Sequence, residues 1–383
     1  MGITGQIAIK IKIKIKIKIK IKSKNGVGTP PVRVVGCYLK TMNAFRPLLG
    51  LCSVLAALPL LAENPAAIVR SGFLADPPPT LSSHASTICE GKNGIVAAWF
   101  GGTAERQRDV VIWQSREVGK NWTKPVEVAR GNEDGDEQWA CWNPVLFQPA
   151  NGPLLLFYKV GPSPSEWWGR VKISDDGGRN WSRSRRLPLG YIGPVRNKPV
   201  ELPGGTILCG ASEENAGWRV HMETLRLSDH DHMDWWRTGD LNSAMDYGAI
   251  QPTILPWSGG RLQILSRTRQ QAVTESWSVD GGLTWSRMRK LDLPNPNSAI
   301  DAVMLKEGKA LLVYNPTTDS RHTLAVALSD DGRQWTRKLT LENDDGEYSY
   351  PAVIQSEDGL VYVTYTWRRE KIKYVVIDPW QLK

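Results

Sequence analysis

The sequence predicts an all-β fold, a propeller built from blades of about 50 residues. Three observations point there: a recurring turn pattern, its regular spacing, and the strand-forming runs beside it. The pattern reads Ser, any residue, an acid, any residue, Gly, two residues, Trp. Ser174 to Trp181 and Ser278 to Trp285 fit it in full, and Ser115 to Trp122 fits with Glu117 in the acid slot. Ser329 to Trp335 is one residue short, and Ser228 to Trp235 keeps only the Ser and the Trp. The serines at 115, 174, 228, 278 and 329 lie 59, 54, 50 and 51 residues apart. Runs such as VVIWQS, RVKIS and LAVALS lead into the boxes. Within a box the acid can accept backbone N–H groups, Gly can take positive φ, and Trp can pack beneath the turn. The box residues therefore read as structural.

The front of the chain reads differently. Ile9 to Lys22 is seven consecutive Ile-Lys pairs, a strand period with one apolar and one cationic face. It is either a polycationic, membrane-active arm or a translated short repeat upstream of the true start, so residues 1–41 are expected to lie outside the fold. Residues 42–62 have the shape of a secretory signal peptide: Arg46, then the 14-residue apolar run Leu48 to Leu61, then Ala62. An uncleaved N-terminal anchor is the alternative, and a secreted or periplasmic location is expected. Residues 63–383 are left for the propeller.

Composition narrows the partners. The chain of 383 residues has 48 basic and 39 acidic residues. Residues 1–62 hold nine Lys, two Arg and no acid, leaving 37 basic against 39 acidic residues in the body. No basic body suited to nucleic acid remains. Seventeen Trp against five Phe suggest repeated packing slots or a carbohydrate surface. Cys89, Cys141 and Cys209 form neither a disulfide framework nor a metal-ligand spacing, and read as buried thiols. Phosphate-loop, dinucleotide, zinc-protease and α/β-hydrolase motifs are missing from the propeller region. No cofactor, no metal and a monomeric state are expected.

The boxes resemble the Asp-box (BNR) repeats of the sialidase superfamily, over residues 65 to 383. His84-Ala-Ser-Thr, Trp99-Phe-Gly-Gly-Thr-Ala-Glu105, Cys141-Trp-Asn-Pro, Asn197-Lys-Pro199 and Glu347-Tyr-Ser-Tyr-Pro351 look like the sialidase-like branch. The resemblance implies a six-bladed β-propeller. Its sixth blade would come from residues 348–383, with a strand near Ala67–Phe73 closing the ring.

The resemblance also implies a site at the axial mouth for an anionic sugar, whose carboxylate suits the Arg fork. Arg267 and Arg321 lie where the second and third arginines of a sialidase triad lie. His84 occupies the slot of the first, so strict sialic-acid recognition is not expected. Tyr348, in Tyr348-Ser349, matches the family's nucleophile, a neutral phenol that an anionic substrate does not repel. The Glu that should serve it is replaced by Gln251, which cannot act as a base. Glu201, Glu214, Glu223 and Glu347 are candidate substitutes. Glu105 is expected as general acid, with Asp109 as the alternative and a solvated loop carboxylate as the plain reading of Glu105. Lys159 and Lys198 could replace the missing cation or form buried Lys–Glu pairs. Asn143, Trp142, His221 and Glu223 also sit in apolar strand contexts. Trp142, Trp167, Trp168 and Trp218 could stack on sugars or simply pack.

The leading expectation is an exported glycosidase acting on a terminal acidic sugar of a glycan. The alternatives are a glycan-binding propeller without catalysis and a lyase acting on uronic-acid polysaccharides.

Overall fold

A computed structural model of the protein describes residues 65–383, apart from 133, 134, 136, 216, 229–231, 244 and 383. The Ile-Lys repeat and the signal-like segment lie outside the described residues. Six antiparallel sheets follow one another along the chain. Blade one is Ser82–Gly91, Gly94–Gly102 and Val111–Val118, with Asn121–Trp122 and Val126–Ala129 both paired to the third strand. Blade two is Cys141–Phe147, Leu154–Val160, Trp168–Ser174 and Arg185–Arg186. Blade three is Val200–Leu202, Thr206–Glu213, Arg219–Leu227 and Met233–Arg237. Blade four is Ala249–Pro256, Leu262–Thr268, Ala272–Ser278 and Arg289–Pro294. Blade five is Asp301–Met304, Ala310–Tyr314, Thr323–Ser329 and Thr336–Asn343. Blade six is Tyr348–Gln355, Val361–Trp367 and Lys371–Ile377, completed by Ile68–Phe73 from the other end of the chain. That strand lies antiparallel to the last one, with Ser71 opposite Val375 and Phe73 opposite Lys373. The ring is a six-bladed propeller, closed by one strand from the front of the described chain.

The strands are apolar on both faces because both faces are buried. Leu311 and Val313 of blade five pack against Val353, Val361 and Val363 of blade six. Their neighbours Ala310, Leu312 and Tyr314 turn the other way, onto Leu255 and Leu265 of blade four. Each of the six seams has its own apolar cluster of this kind. Cys89, Cys141 and Cys209 are buried free thiols within them.

The boxes behave as their chemistry predicts. Ser278 Oγ donates to Asp280 Oδ1 at 2.8 Å and accepts from Gly282 N at 2.9 Å, while Asp280 Oδ1 accepts from Leu283 N and Thr284 N at 3.1 and 3.0 Å. Ser174 with Asp176 and Ser329 with Asp331 repeat the arrangement. Gly332 has φ +75°, and a Cβ there would stand 2.2 Å from Gln263 Oε1, so the position requires glycine. Gln263 of blade four donates to Gly332 O at 2.8 Å, stapling the blade-five box to the blade before it. Gln114 of blade one staples the blade-two box in the same way, bonding Gly178 O and Trp181 Nε1. The box at Ser115 departs from the pattern. Its Glu117 pairs with Arg70 of the closing strand instead of capping its own turn.

The direction of the meander places the rest. The boxes join third to fourth strands, so they lie at one end of the propeller. The starts of the inner strands, the turns between second and third strands, and the connections between blades lie at the other end, here termed the mouth. Four inner strands carry the same irregularity near that end. Ala85, Asn143, Gln251 and Tyr350 have φ of +52°, +34°, +56° and +54°, and strand register breaks at each. These are β-bulges, which re-aim the side chains around them.

Candidate active site

Tyr350 stands at the centre of the mouth. The guanidinium groups of Arg196, Arg267 and Arg321 lie 5.4, 5.5 and 5.8 Å from its ring centroid. Arg267 Nη1 donates to the Tyr350 hydroxyl at 3.0 Å, and the same guanidinium lies 5.2 Å from the Trp218 ring. Arginine can only donate, so the phenol oxygen accepts here and its proton is free for another partner. Arg196 comes from the connection into blade three and is 1% exposed. Its Nη2 donates to Tyr350 O at 2.6 Å and to Pro351 O at 2.8 Å, holding the bulge from across the axis. Burial pushes the Arg196 guanidinium down to about 10, against the pull of Asp301.

His84 lies against this group, its ring 4.2 Å from that of Tyr350. Its Nδ1 is 2.8 Å from Thr366 Oγ1, and its buried Nε2 has no hydrogen-bond partner among the described residues. Burial, and then Arg369, Arg321, Arg196 and Arg267, hold the imidazole well below its ordinary range, so it is neutral at physiological pH. Blade one therefore supplies no cation at this position. Arg369 supplies one from next door. It lies in the hairpin turn of blade six, where Arg368 and Arg369 both have positive φ, and its carbonyl accepts from Ser83 N at 2.9 Å.

Carboxylates ring the cations. Glu347 accepts from Arg321 Nη1 and Arg369 Nε, both at 2.8 Å, and from Ser349 Oγ at 2.9 Å. Burial works against its charge, but Arg369 and Arg321 hold its carboxyl below the usual range. Glu105 pairs with Arg369. Glu214, on the turn of blade three, is engaged by no hydrogen bond or ion pair among the described residues. Burial raises its carboxyl, tempered by Arg267 and Arg269. It is the acid at the mouth best placed to hold a proton.

The structure thus gathers His84, Glu105, Arg267 and Arg321, with Gln251 at the matching bulge of blade four and Asn143 at that of blade two. Gln251 is buried, and its Oε1 is without a partner among the described residues. Other expected site residues lie elsewhere. Tyr348 is fully buried in the seam between blades five and six, and its hydroxyl donates to Asp344 and accepts from Arg368 Nε at 3.3 Å, with no bond to Arg196, Arg267 or Arg321. The bulge at Tyr350 explains the difference. Tyr348 shares its face with Val353, five residues on, because the extra residue shifts the alternation by one. Lys159 is buried between blades two and three, with Nζ on Pro194 O at 2.7 Å. Burial lowers its ammonium to about 7, although Glu223 raises it. Glu223 is buried too, accepting from Ile192 N, Gly193 N and His221 Nε2. Lys198 spends its charge on Asp301 at 3.0 Å. Trp142 is 2% exposed and donates to Gly161 O, so it packs and offers no face to a sugar. Asp109 accepts from Thr103 N and Oγ1 and closes its own loop. Glu201 accepts from Ala150 N at the end of the propeller opposite the mouth.

Tyr350, Arg196 and Arg369 are functional candidates that reading the sequence missed. One signal was present: Asn143, Gln251 and Tyr350 each precede a proline in an inner strand.

The six sheets and their Asp-box turns define a BNR-type β-propeller. The BNR repeat-like domain family matches residues 93–363, and the chain belongs to it. No curated protein matches the sequence. Among solved structures, a protein of unknown function from Dyadobacter fermentans is 18% identical, with a TM-score of 0.67 over 81% of this chain and 98% of that one. The intramolecular trans-sialidase from Ruminococcus gnavus is 13% identical, with a TM-score of 0.65 over 84% and 99%. The NanB sialidase from Streptococcus pneumoniae is 12% identical, with a TM-score of 0.61 over 79% and 69%. At these identities the likeness is one of fold.

Proposed function

We propose that the protein is an exported, sialidase-like glycoside hydrolase that removes a terminal acidic sugar from a glycan. One observation carries this reading: arginines from blades three, four and five converge on a single phenol at the mouth. Export rests on the apolar run Leu48 to Leu61, outside the described residues.

Each residue then has a chemical task. Arg267, Arg321 and Arg369 attract the sugar carboxylate, and Glu347 keeps the latter two aligned. The Tyr350 oxygen attacks the anomeric carbon as its phenol proton passes to the free Nε2 of neutral His84, whose ring lies 4.2 Å from that of Tyr350. The bond to the leaving sugar breaks, and Glu214 gives that oxygen a proton. Glu214 then takes a proton from water, whose oxygen attacks the anomeric carbon, and Tyr350 leaves with the proton returned by His84. Neutral His84 and Gln251 in place of two charged groups favour an acid other than sialic acid.

A second reading rests on His84, whose free Nε2 is buried close to Tyr350. In a chain of uronic acids such a pair could take the proton α to the carboxylate. The C4–O bond would break, a C4–C5 double bond would form, and Glu214 would protonate the leaving oxygen.

The test is incubation of folded protein with methylumbelliferyl glycosides of sialic, uronic and neutral sugars, and with uronic-acid polysaccharides. Fluorophore release from an acidic glycoside is expected. An absorbance rise from an unsaturated product without fluorophore release selects elimination. Saturable glycan binding with neither signal means a binding propeller and removes the hydrolase.

A further inference from the structure

Three successive residues of the connection into blade three reach three different blades. Arg196, Asn197 and Lys198 lie between Arg185–Arg186 and Val200–Leu202, outside any strand. Arg196 Nη2 donates to the carbonyls of Tyr350 and Pro351 in blade six. Asn197 Nδ2 donates to Gln251 O of blade four at 3.0 Å. Lys198 Nζ donates to Ala302 O of blade five at 2.8 Å and to both carboxylate oxygens of Asp301 at 3.0 Å. The innermost strand of each blade ends its sheet, so one of its edges carries backbone groups that no ladder satisfies. The three side chains bring donors to those edges from across the axis.

Asp301 extends the arrangement. It is the first residue of Asp301–Met304 and is buried. Besides Lys198, its carboxylate accepts from Thr253 Oγ1 of blade four at 2.8 Å, from Ala302 N at 2.9 Å and from Val353 N of blade six at 2.8 Å. The bulge at Tyr350 is thus gripped twice. Arg196 holds the carbonyls of Tyr350 and Pro351, and Asp301 holds the N–H of Val353. The grip has a purpose, because a φ of +54° is unfavourable for a residue with a side chain. Relaxation of the bulge would slip the strand by one position and turn the phenol away from the mouth. A buried ion pair adds little net stability, and its best-attested use is to fix register.

We infer that Arg196, Asn197 and Lys198 form an axial strap that sets the position of Tyr350, with Lys198 and Asp301 as positioning residues for the phenol. Both act through the backbone of blade six and not on the substrate. The effect on turnover rests on the hydrolase reading, whereas the placing of the ring does not.

The test labels the full chain with 3-fluorotyrosine and follows the fluorine NMR lines of Tyr350 and of Tyr158, which is buried in blade two. Tyr350→Phe and Tyr158→Phe assign the two lines. Asp301→Asn removes the carboxylate but leaves Lys198 unpaired. Lys198→Met combined with Asp301→Asn leaves no such charge, and decides the outcome should the single variant fail to fold. In both, the Tyr350 line is expected to move or split while the Tyr158 line stays. On an acidic methylumbelliferyl glycoside, kcat should fall about a hundredfold with KM within a fewfold, as for a misplaced reacting group. Lys198→Arg keeps the cation and should stay within a fewfold of wild type. An unmoved Tyr350 line in a combined variant that melts cooperatively overturns the strap. So does displacement of both lines together, which marks general loosening. A moved Tyr350 line with unchanged kcat supports the strap and removes Tyr350 as nucleophile. A moved line in a chain that cleaves no acidic glycoside supports the strap and removes the hydrolase reading.

Discussion

At the residue scale, the mouth works through contrast among its carboxylates. Glu347 and Glu105 are tied to arginines, whereas Glu214 is raised by burial and is free of any ion pair among the described residues. A raised carboxyl keeps its proton to higher pH than an ordinary Glu. If Glu214 protonates the leaving group, activity falls as pH rises through its value, because the acid form is lost. Glu214→Gln should remove that alkaline limb and lower kcat most for substrates with poor leaving groups. A pH–rate profile of both proteins checks this, and an unchanged limb in Glu214→Gln assigns the proton elsewhere. The neutral state of His84 follows from the same electrostatics, since burial and four arginines all oppose its charge. The identity of His84 could be read from the sequence. Its protonation could not, because all four of those arginines come from other blades, Arg369 from the hairpin turn of blade six at the far end of the chain.

At the scale of elements, the turns were legible and the bulges were not. A box declares itself because the turn is made by its own residues: Ser278, Asp280 and Gly282 satisfy one another within five positions. Four hydrogen-bond donors hold the Asp280 carboxyl down to about 2, chiefly Thr284 through its side chain and backbone. A depressed carboxyl contributes stability that is present above its unfolded value of about 3.9 and is lost as pH falls through the folded one. Asp280→Ala should therefore lower the melting temperature at pH 7, and the gap to wild type should narrow as pH falls toward 2. A gap independent of pH would mean that the carboxylate's charge does not hold the turn. The bulge at Tyr350 depends on pairing with Val361–Trp367 and on Arg196 from blade three. Neither partner is local, so the tyrosine sharing the family's Tyr-Ser pattern looked like the axial one. A slip of one position in a strand exchanges its faces, and here that slip exchanges the two tyrosines.

At the scale of the whole molecule, ring closure turns a linear series of sheets into a site. Arg196, Arg267 and Arg321 lie in or beside blades three, four and five, and only a closed ring brings them to one phenol of blade six. Blade length followed from box spacing and strand-forming runs, since it is set by four strands and their turns, while the count of six and the closing strand followed from the family resemblance. Which cations reach the axis depends on connections outside the repeat, and Arg196 lies in one of them. Lys159 illustrates the reverse, a cation of a second strand that satisfies a blade seam, whereas Lys198, in the same connection as Arg196, spends its charge on Asp301 of blade five. The central claim is that the axial phenol is Tyr350 and that Tyr348 is a packing residue. The most direct measurement is kcat on an acidic methylumbelliferyl glycoside for Tyr350→Phe and Tyr348→Phe, each shown to melt cooperatively. Tyr350→Phe should lose about a thousandfold or more, as expected for a lost nucleophile. Tyr348→Phe should stay within a fewfold of wild type and lose about 1 kcal/mol of stability with its hydrogen bond to Asp344. The opposite order, with Tyr348→Phe inactive and Tyr350→Phe active, would contradict the account.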